Sequence, residues 1–190
     1  MAGIPVVFRH SLTDAMWLLG FWPRSHDSGP KGDRHVRMTH IHHVSSAKVP
    51  MAYAFDYISD AHHLAEWMFG IEHVRFVNDV PRGLGAKYDI AINLGATLRS
   101  TIEVTGWDPD TLFTTESRSG IDNQIECRFR PISDDETELE INIDYRLPGG
   151  LAGRALGKVI SPFISLAITH SDEKLRKILE EGYRQKIATR

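Results

Sequence analysis

Three histidines, at positions 40, 42 and 43, stand where a regular sequence pattern begins in this 190-residue chain. On an extended strand, His40 and His42 share one face and His43 points to the other. A pair at i, i+2 has metal-ligand spacing. A site also needs a third ligand and an orienting outer shell, and the sequence identifies neither. The expectation is therefore solvated histidines on a first strand. His62 and His63, at a helix start, are read the same way, and no metal and no cofactor is assigned.

Glu116 and Arg118 alternate with Thr115 and Ser117 on a strand without a clear apolar face. If Glu116 belongs to the inward set, a carboxyl group enters the interior. Burial would raise its pKa and suit it to acid–base work. The alternative is an exposed or ion-paired Glu116, and the sequence leaves the register open. Tyr88 and Tyr145 lie on apolar faces, either as ligand-orienting hydroxyls or as core tyrosines bonded to backbone. Cys127 shares a face with Ile125 and Phe129 and reads as a packed, inert thiol. Asp134, Asp135 and Glu136 form a turn, while Glu138 and Glu140 fall on a wet strand face. Gly83-Leu84-Gly85 and Gly149-Gly150 lack the Lys-Ser/Thr partner of a phosphate loop.

The elements that must position these residues follow from periodicity. Thr39 to Val49 reads as a strand ended by Pro50. Pro50 to Ile58 reads as a short helix with Ala52, Phe55 and Ile58 on one side. Asp60 is an N-cap for a second short helix through Leu64, Trp67 and Met68, stopped by Gly70. Strands follow over Ile71–Val77, around Tyr88–Leu94, around Leu98–Val104, over Leu112–Arg118, around Ile125–Phe129 and over Leu139–Leu147. The last is the clearest: Leu139, Ile141, Ile143, Tyr145 and Leu147 alternate with polar residues, so one sheet face is covered and the other wet. Short turns make the sheet antiparallel. From Leu151 to about Gln185 the period becomes helical, with Leu156, Val159, Ile160, Phe163, Leu175 and Leu179 assigned to one broad stripe. Pro162 is expected to kink this helix.

Composition agrees with a single globular core, 42% hydrophobic and 25% charged. A formal net charge of −3, with basic residues dispersed, excludes a global nucleic-acid-binding field. The sole cysteine, Cys127, excludes an intramolecular disulfide, and the expected location is cytoplasmic. No uninterrupted apolar run reaches the roughly 20 residues of a membrane span. Residues 1–37 differ in character. Ala15 to Trp22 is apolar and Pro23 to Arg37 is polar and turn-rich. They read as a poorly ordered extension or as sequence upstream of a start at Met38. Alternatively, Trp17, Phe21 and Trp22 dock on the domain or on a membrane surface.

The order strand, two short helices, six strands and long helix resembles the START-like, or SRPBCC, helix-grip superfamily. Within it the chain is most similar to the polyketide cyclase/dehydrase and lipid transport group. Val49-Pro50, Phe55 to Asp60 followed by Trp67, Gly83-Leu84-Gly85, Pro162 and Leu175 to Glu180 carry the resemblance, over roughly Met38 to Glu181. It implies an α+β helix-grip domain at 38–187, in which a curved antiparallel sheet wraps a long C-terminal helix around a hydrophobic cavity. Members bind lipids, polyketides or quinones, and some are cyclases or dehydratases. No universal catalytic residue exists to transfer. Expected cavity contacts from the strands are Tyr88, Ile90, Ile102 and Val104, then Ile125, Phe129, Ile141, Ile143 and Tyr145. The helix is expected to add Val159, Ile160 and Phe163, and Trp67 is placed at the entrance.

An inward face with few proton-moving groups favours a carrier or sensor of a small hydrophobic molecule over catalysis. The alternatives are a polyketide cyclase, aromatase or dehydratase, and a partner-binding protein with a vestigial pocket, its apolar patch including Trp17 and Trp22. The chain is expected to be a monomer or homodimer.

Overall fold

The computed structural model describes residues 38–189, and the expectations for residues 1–37 lie outside the described residues. Period-two alternation produces seven antiparallel strands: β1 (Thr39–Ala47), β2 (Ile71–Phe76), β3 (Lys87–Asn93), β4 (Thr97–Asp108), β5 (Leu112–Gly120), β6 (Asp122–Ser133) and β7 (Glu136–Arg146). They form one sheet in the order β1-β7-β6-β5-β4-β3-β2. Strands β2 to β7 are a meander, and β1 closes the far side by pairing along β7 from Thr39 opposite Tyr145 to Ala47 opposite Thr137.

Three helical elements accompany the sheet. Helix α1 (Met51–Ile58) starts after Pro50 and buries Ala54, Phe55 and Ile58. Asp60 caps a 3₁₀ turn (Ala61–His63), its carboxylate accepting from the His62 backbone N–H at 2.9 Å. The turn leads into the short α2 (Leu64–Trp67). Helix α3 (Gly150–Ala188) is 39 residues long and runs unbroken through Pro162. By length and composition alone α3 is long and apolar enough to cross a membrane, because its apolar residues average out the charges of Arg154 and Lys158. Its second half enters the core through buried Leu175 and Leu179, whereas the apolar stretch lies in the first half and is only 11% buried.

The sheet is firmly packed at one end. There Phe55 meets Trp107, Phe113 and Phe129 edge-on, with ring centroids 5.0, 6.3 and 5.3 Å away. Val49, Leu139, Leu175 and Leu179 complete this cluster. Arg82, on the β2–β3 loop, lies 5.4 Å from the Trp107 ring and donates to Asp56 and Ser59 at 2.8 Å each, tying that loop to α1. The hydroxyl of fully buried Thr137 donates to the Val49 carbonyl at 2.7 Å, so the chain entering α1 is fixed to β7. A smaller cluster of Ala86, Tyr88, Ile102 and Val104 extends the packing along β3 and β4.

The outer face is wet, as the alternation predicts. Glu103 accepts from Arg118 at 2.7 Å and pairs with Lys87 at 3.2 Å, while Arg130 spans Glu138 at 3.0 Å and Glu140 at 2.7 Å. Such exposed pairs contribute little individually to stability, but keep the face soluble and in register.

Two outcomes follow from this packing. Thr137→Val keeps the volume but strands the buried Val49 carbonyl, and should lower unfolding free energy in urea by about 1–3 kcal/mol; Thr137→Ser should recover most of it. Burial pushes the Cys127 thiol up to about 12, so the native protein should not react with a disulfide reagent at pH 8. Labelling should appear only with denaturant, and prompt native labelling would contradict this packing.

Candidate functional site

The same alternation brings further apolar side chains to the concave face, where they flank the packed clusters. Ile90, Ile125, Ile141, Ile143 and Tyr145 all lie there and are only partly buried. Their alignment comes from register: Ile125 sits opposite Ile143 and Cys127 opposite Ile141, and Asn123 opposes Tyr145. The result is an aliphatic trough of partly buried side chains on the concave face. Tyr88, Ile102, Val104 and Phe129, expected as trough contacts, belong to the packed clusters instead and are buried. Burial also holds the Tyr88 phenol well above the ordinary tyrosine pKa. Tyr88 is thus packed on β3, whereas Tyr145, at the same level of the sheet on β7, is only partly buried.

Helix α3 roofs the trough differently from the expected stripe. Ile160 is buried, but Val159 and Phe163 remain 45% and 36% exposed. At 100° per residue these two fall on the flank of α3 away from Leu175 and Leu179. They pack beside the β3–β4 hairpin, where a side chain at Gly95 would meet the Phe163 ring at 2.6 Å. The first half of α3 is apolar nearly all round, so periodicity alone did not select which flank turns inward. Trp67 is the residue expected at the entrance. It is buried in the packed cluster, and its indole N–H has no hydrogen-bond partner.

Glu116 is excluded from the trough by register. It pairs opposite Glu103 of β4 and Gln124 of β6, while Thr115 opposes Val104 and Ser117 opposes Ile102. Thr115 and Ser117 therefore face inward, and Glu116 accepts from Arg118 at 3.0 Å on the exposed outer face. The histidine pair behaves as its alternation predicts: His40 lies 3.0 Å from Asp144 and His42 2.8 Å from Asn142, both exposed. His62 and His63 pair with Asp60 and Glu66 at 2.7 and 2.9 Å. Among the described residues no three His, Cys, Asp or Glu side chains converge as a metal site.

The polar groups that reach the concave side include His43, which the sequence reading took as solvated. His43, opposite Ile141, turns toward α3 and brings its Nε2 to 3.2 Å from Asp172 Oδ1. That nitrogen is buried and lacks an aligned hydrogen bond. Alternation placed His43 on the opposite face from its neighbours, which was the available signal; its partner lies far along the chain and was not readable. Ser117 Oγ accepts from the Asn123 N–H at 3.0 Å, Asn123 Nδ2 donates to the Ile121 carbonyl at 2.8 Å, and Asn123 Oδ1 is left buried and unpaired. The trough is thus aliphatic, with a His–Asp pair at its β1 wall and a free amide oxygen on β6.

The family profile described as polyketide cyclase / dehydrase and lipid transport matches residues 38–180. Among curated proteins no sequence matches the chain. Several solved structures share its fold. The Zhui aromatase/cyclase from Streptomyces sp. R1128 superposes with a TM-score of 0.64 at 14% identity, over 76% of this chain and 94% of that one. A START superfamily protein from Mycobacterium smegmatis gives 0.55 at 14% identity, over 75% and 97%. A norcoclaurine synthase point mutant from Thalictrum flavum, in complex with a transition-state analogue, gives 0.59 at 14% identity, over 80% and 99%. At such identities the likeness is one of fold. The profile match, spanning most of the chain, places this protein in the polyketide cyclase/dehydrase and lipid transport family, on a helix-grip fold.

Proposed function

We propose that residues 38–187 form a ligand-binding domain whose trough carries or senses a small hydrophobic molecule such as a lipid, polyketide or quinone. The observation that carries this reading is the asymmetry of burial. One end of the concave face is packed by aromatic and aliphatic side chains. Elsewhere on that face Ile90, Ile125, Ile141 and Ile143 are only partly buried. Apolar surface left open inside a concave wall is the usual mark of a binding site. Family membership supports the same reading.

A second reading, catalysis by a cyclase or dehydratase, is favoured by one specific feature. His43 and Asp172 face each other across the sheet–helix gap at 3.2 Å. A carboxylate beside an imidazole orients the ring, the arrangement of a general base that must hold a proton transiently. In such an enzyme the imidazole of His43 would take a proton from a carbon next to a carbonyl of the bound substrate, and Asp172 would act through His43.

Native mass spectrometry of the purified protein, followed by denaturing extraction, checks the carrier reading. The expected result is a stoichiometric hydrophobic adduct that is absent from Ile143→Asp, a variant that retains its native circular dichroism. A wild-type protein that is free of adduct and also fails to take up fatty acids and isoprenoid quinones in titration would sink it. For the catalytic reading, His43→Gln should abolish turnover of a reactive poly-β-ketone thioester. Asp172→Asn should lower kcat by about tenfold or more with little change in KM. Unaltered rates in both variants would remove the pair from any mechanism.

A further inference from the structure

The first half of α3 has an outer face that the rest of the described residues leave exposed. Buried Gly153 and Ile160 mark its inner side. At 100° per residue, Leu151, Ala155, Val159, Pro162 and Leu166 fall within about 80° of one another on the opposite side. All five are exposed, Leu151 by 78% and Leu166 by 42%. Phe163 borders this stripe where the helix meets the β3–β4 hairpin at Gly95. From Leu151 to Leu166 the stripe is about 22 Å long. A continuous apolar strip of this kind marks a contact surface, unlike scattered single apolar residues.

Four features define what the stripe fits. The first is charge. Arg154 and Lys158 lie along one margin of it, and from Gly150 to Ser171 the helix contains no Asp or Glu. In a chain whose formal net charge is −3, these cations are a local feature that favours an anionic partner. The second is shape. The stripe is the convex outside of a helix, and it takes no part in the two surface grooves, which lie beside the α2–β2 link and between α1 and the end of α3. A ridge fits a surface that deforms around it. The third is symmetry. A second copy laid antiparallel on the same stripe would bring Arg154 and Lys158 of both chains to one side of the seam, with no carboxylate on either stretch to meet them. The fourth is the inner side. Gly153 and Ile160 stay in the domain, and Pro162 leaves the Lys158 carbonyl without its helical donor, so this stretch is suited to lying on a membrane rather than crossing it.

We propose that the outer stripe of α3 docks the domain on an anionic lipid bilayer, with the helix lying in the plane of the interface. Leu151, Val159 and Leu166 enter the boundary of the acyl chains. Arg154 and Lys158, about 20–60° to the side of Leu151, stay at headgroup level and pair with lipid phosphates. The bilayer here is a surface that the outside of the domain rests on, and its contact does not depend on what the trough holds.

The test uses the full chain and vesicles of phosphatidylcholine, alone or mixed with phosphatidylglycerol, followed by co-flotation. Binding should be at least about tenfold tighter to the mixed vesicles and should weaken as salt is raised. Arg154→Glu/Lys158→Glu should remove that preference, and Leu151→Glu/Leu166→Glu should weaken binding to mixed vesicles by about tenfold or more. All four positions are exposed, and native circular dichroism checks that the variants fold. A polarity-sensitive dye on an introduced thiol reports position, since Cys127 is buried. The dye on Leu151→Cys should shift to the blue with mixed vesicles. The dye on Leu84→Cys should not, although Leu84 is 64% exposed, because it lies on the β2–β3 loop at the other end of the sheet. Failure to bind mixed vesicles, or no dye shift at position 151, would overturn the proposal. Binding unaltered in both double variants would also overturn it, by assigning the contact to another part of the chain such as Ala15 to Trp22. So would a dimer in sedimentation that Leu151→Glu/Leu166→Glu dissociates, which would give the stripe to a second copy.

Discussion

One helix has to cover a sheet much wider than itself. Seven strands at about 4.8 Å spacing make a surface about 30 Å across, whereas a helix with its side chains is about 10 Å wide. Curling the sheet reduces the mismatch without removing it. At the end where α1 and α2 also contribute, the deficit is met by Phe55, Trp67 and Ile58, and the core closes. At the other end α3 is the cover that remains, and the concave wall stays partly open. The trough is thus the remainder of a packing problem.

Helix α3 also exceeds the sheet in length. Its 39 residues span about 58 Å, against about 40 Å for the longest strands of 12 residues. The two halves accordingly do different work. The second half is anchored by Leu175 and Leu179 in the core, and Gly182 lies close against the Tyr53 hydroxyl of α1. The middle is tied on both sides, by Asp172 to His43 of β1 and by Ser171 to Phe69 ahead of β2. The helix therefore bridges the two edge strands of the sheet. The first half has no comparable anchoring beyond Ile160 and the Gly95 contact. A roof fixed in the middle and at one end is suited to admitting a ligand at the other.

Electrostatics divides along the same surfaces. The outer face of the sheet carries paired charges whose roles are solubility and register, and Glu116 is one of them. The inner face carries few polar groups, so each one that is present has consequences. Thr137 is satisfied and structural. His43 and Asn123 retain a nitrogen and an oxygen atom without aligned partners. Unpaired buried polar atoms destabilise a fold by about 1–3 kcal/mol each, so these two stand out on an otherwise apolar face.

Much of the architecture was legible in the chain alone. Alternation along Leu139 to Leu147, the cap at Asp60 and the breaks at Pro50 and Gly70 located many of the elements, because these are local effects of backbone sterics and hydrogen bonding. Element order then sufficed for the family. Strand faces were readable wherever one face was apolar. For Glu116 they were not, since both faces of β5 are polar and only pairing with β4 and β6 sets the register. The inward flank of α3 was equally hidden, because a helix apolar on several sides has no unique face until a sheet edge and a hairpin press on it. The meeting of His43 with Asp172, the isolation of the Trp67 indole and the line dividing packed core from open trough depend on contacts between residues far apart in the chain. Those contacts are decided by how much surface one helix can cover, a quantity that exists only in three dimensions.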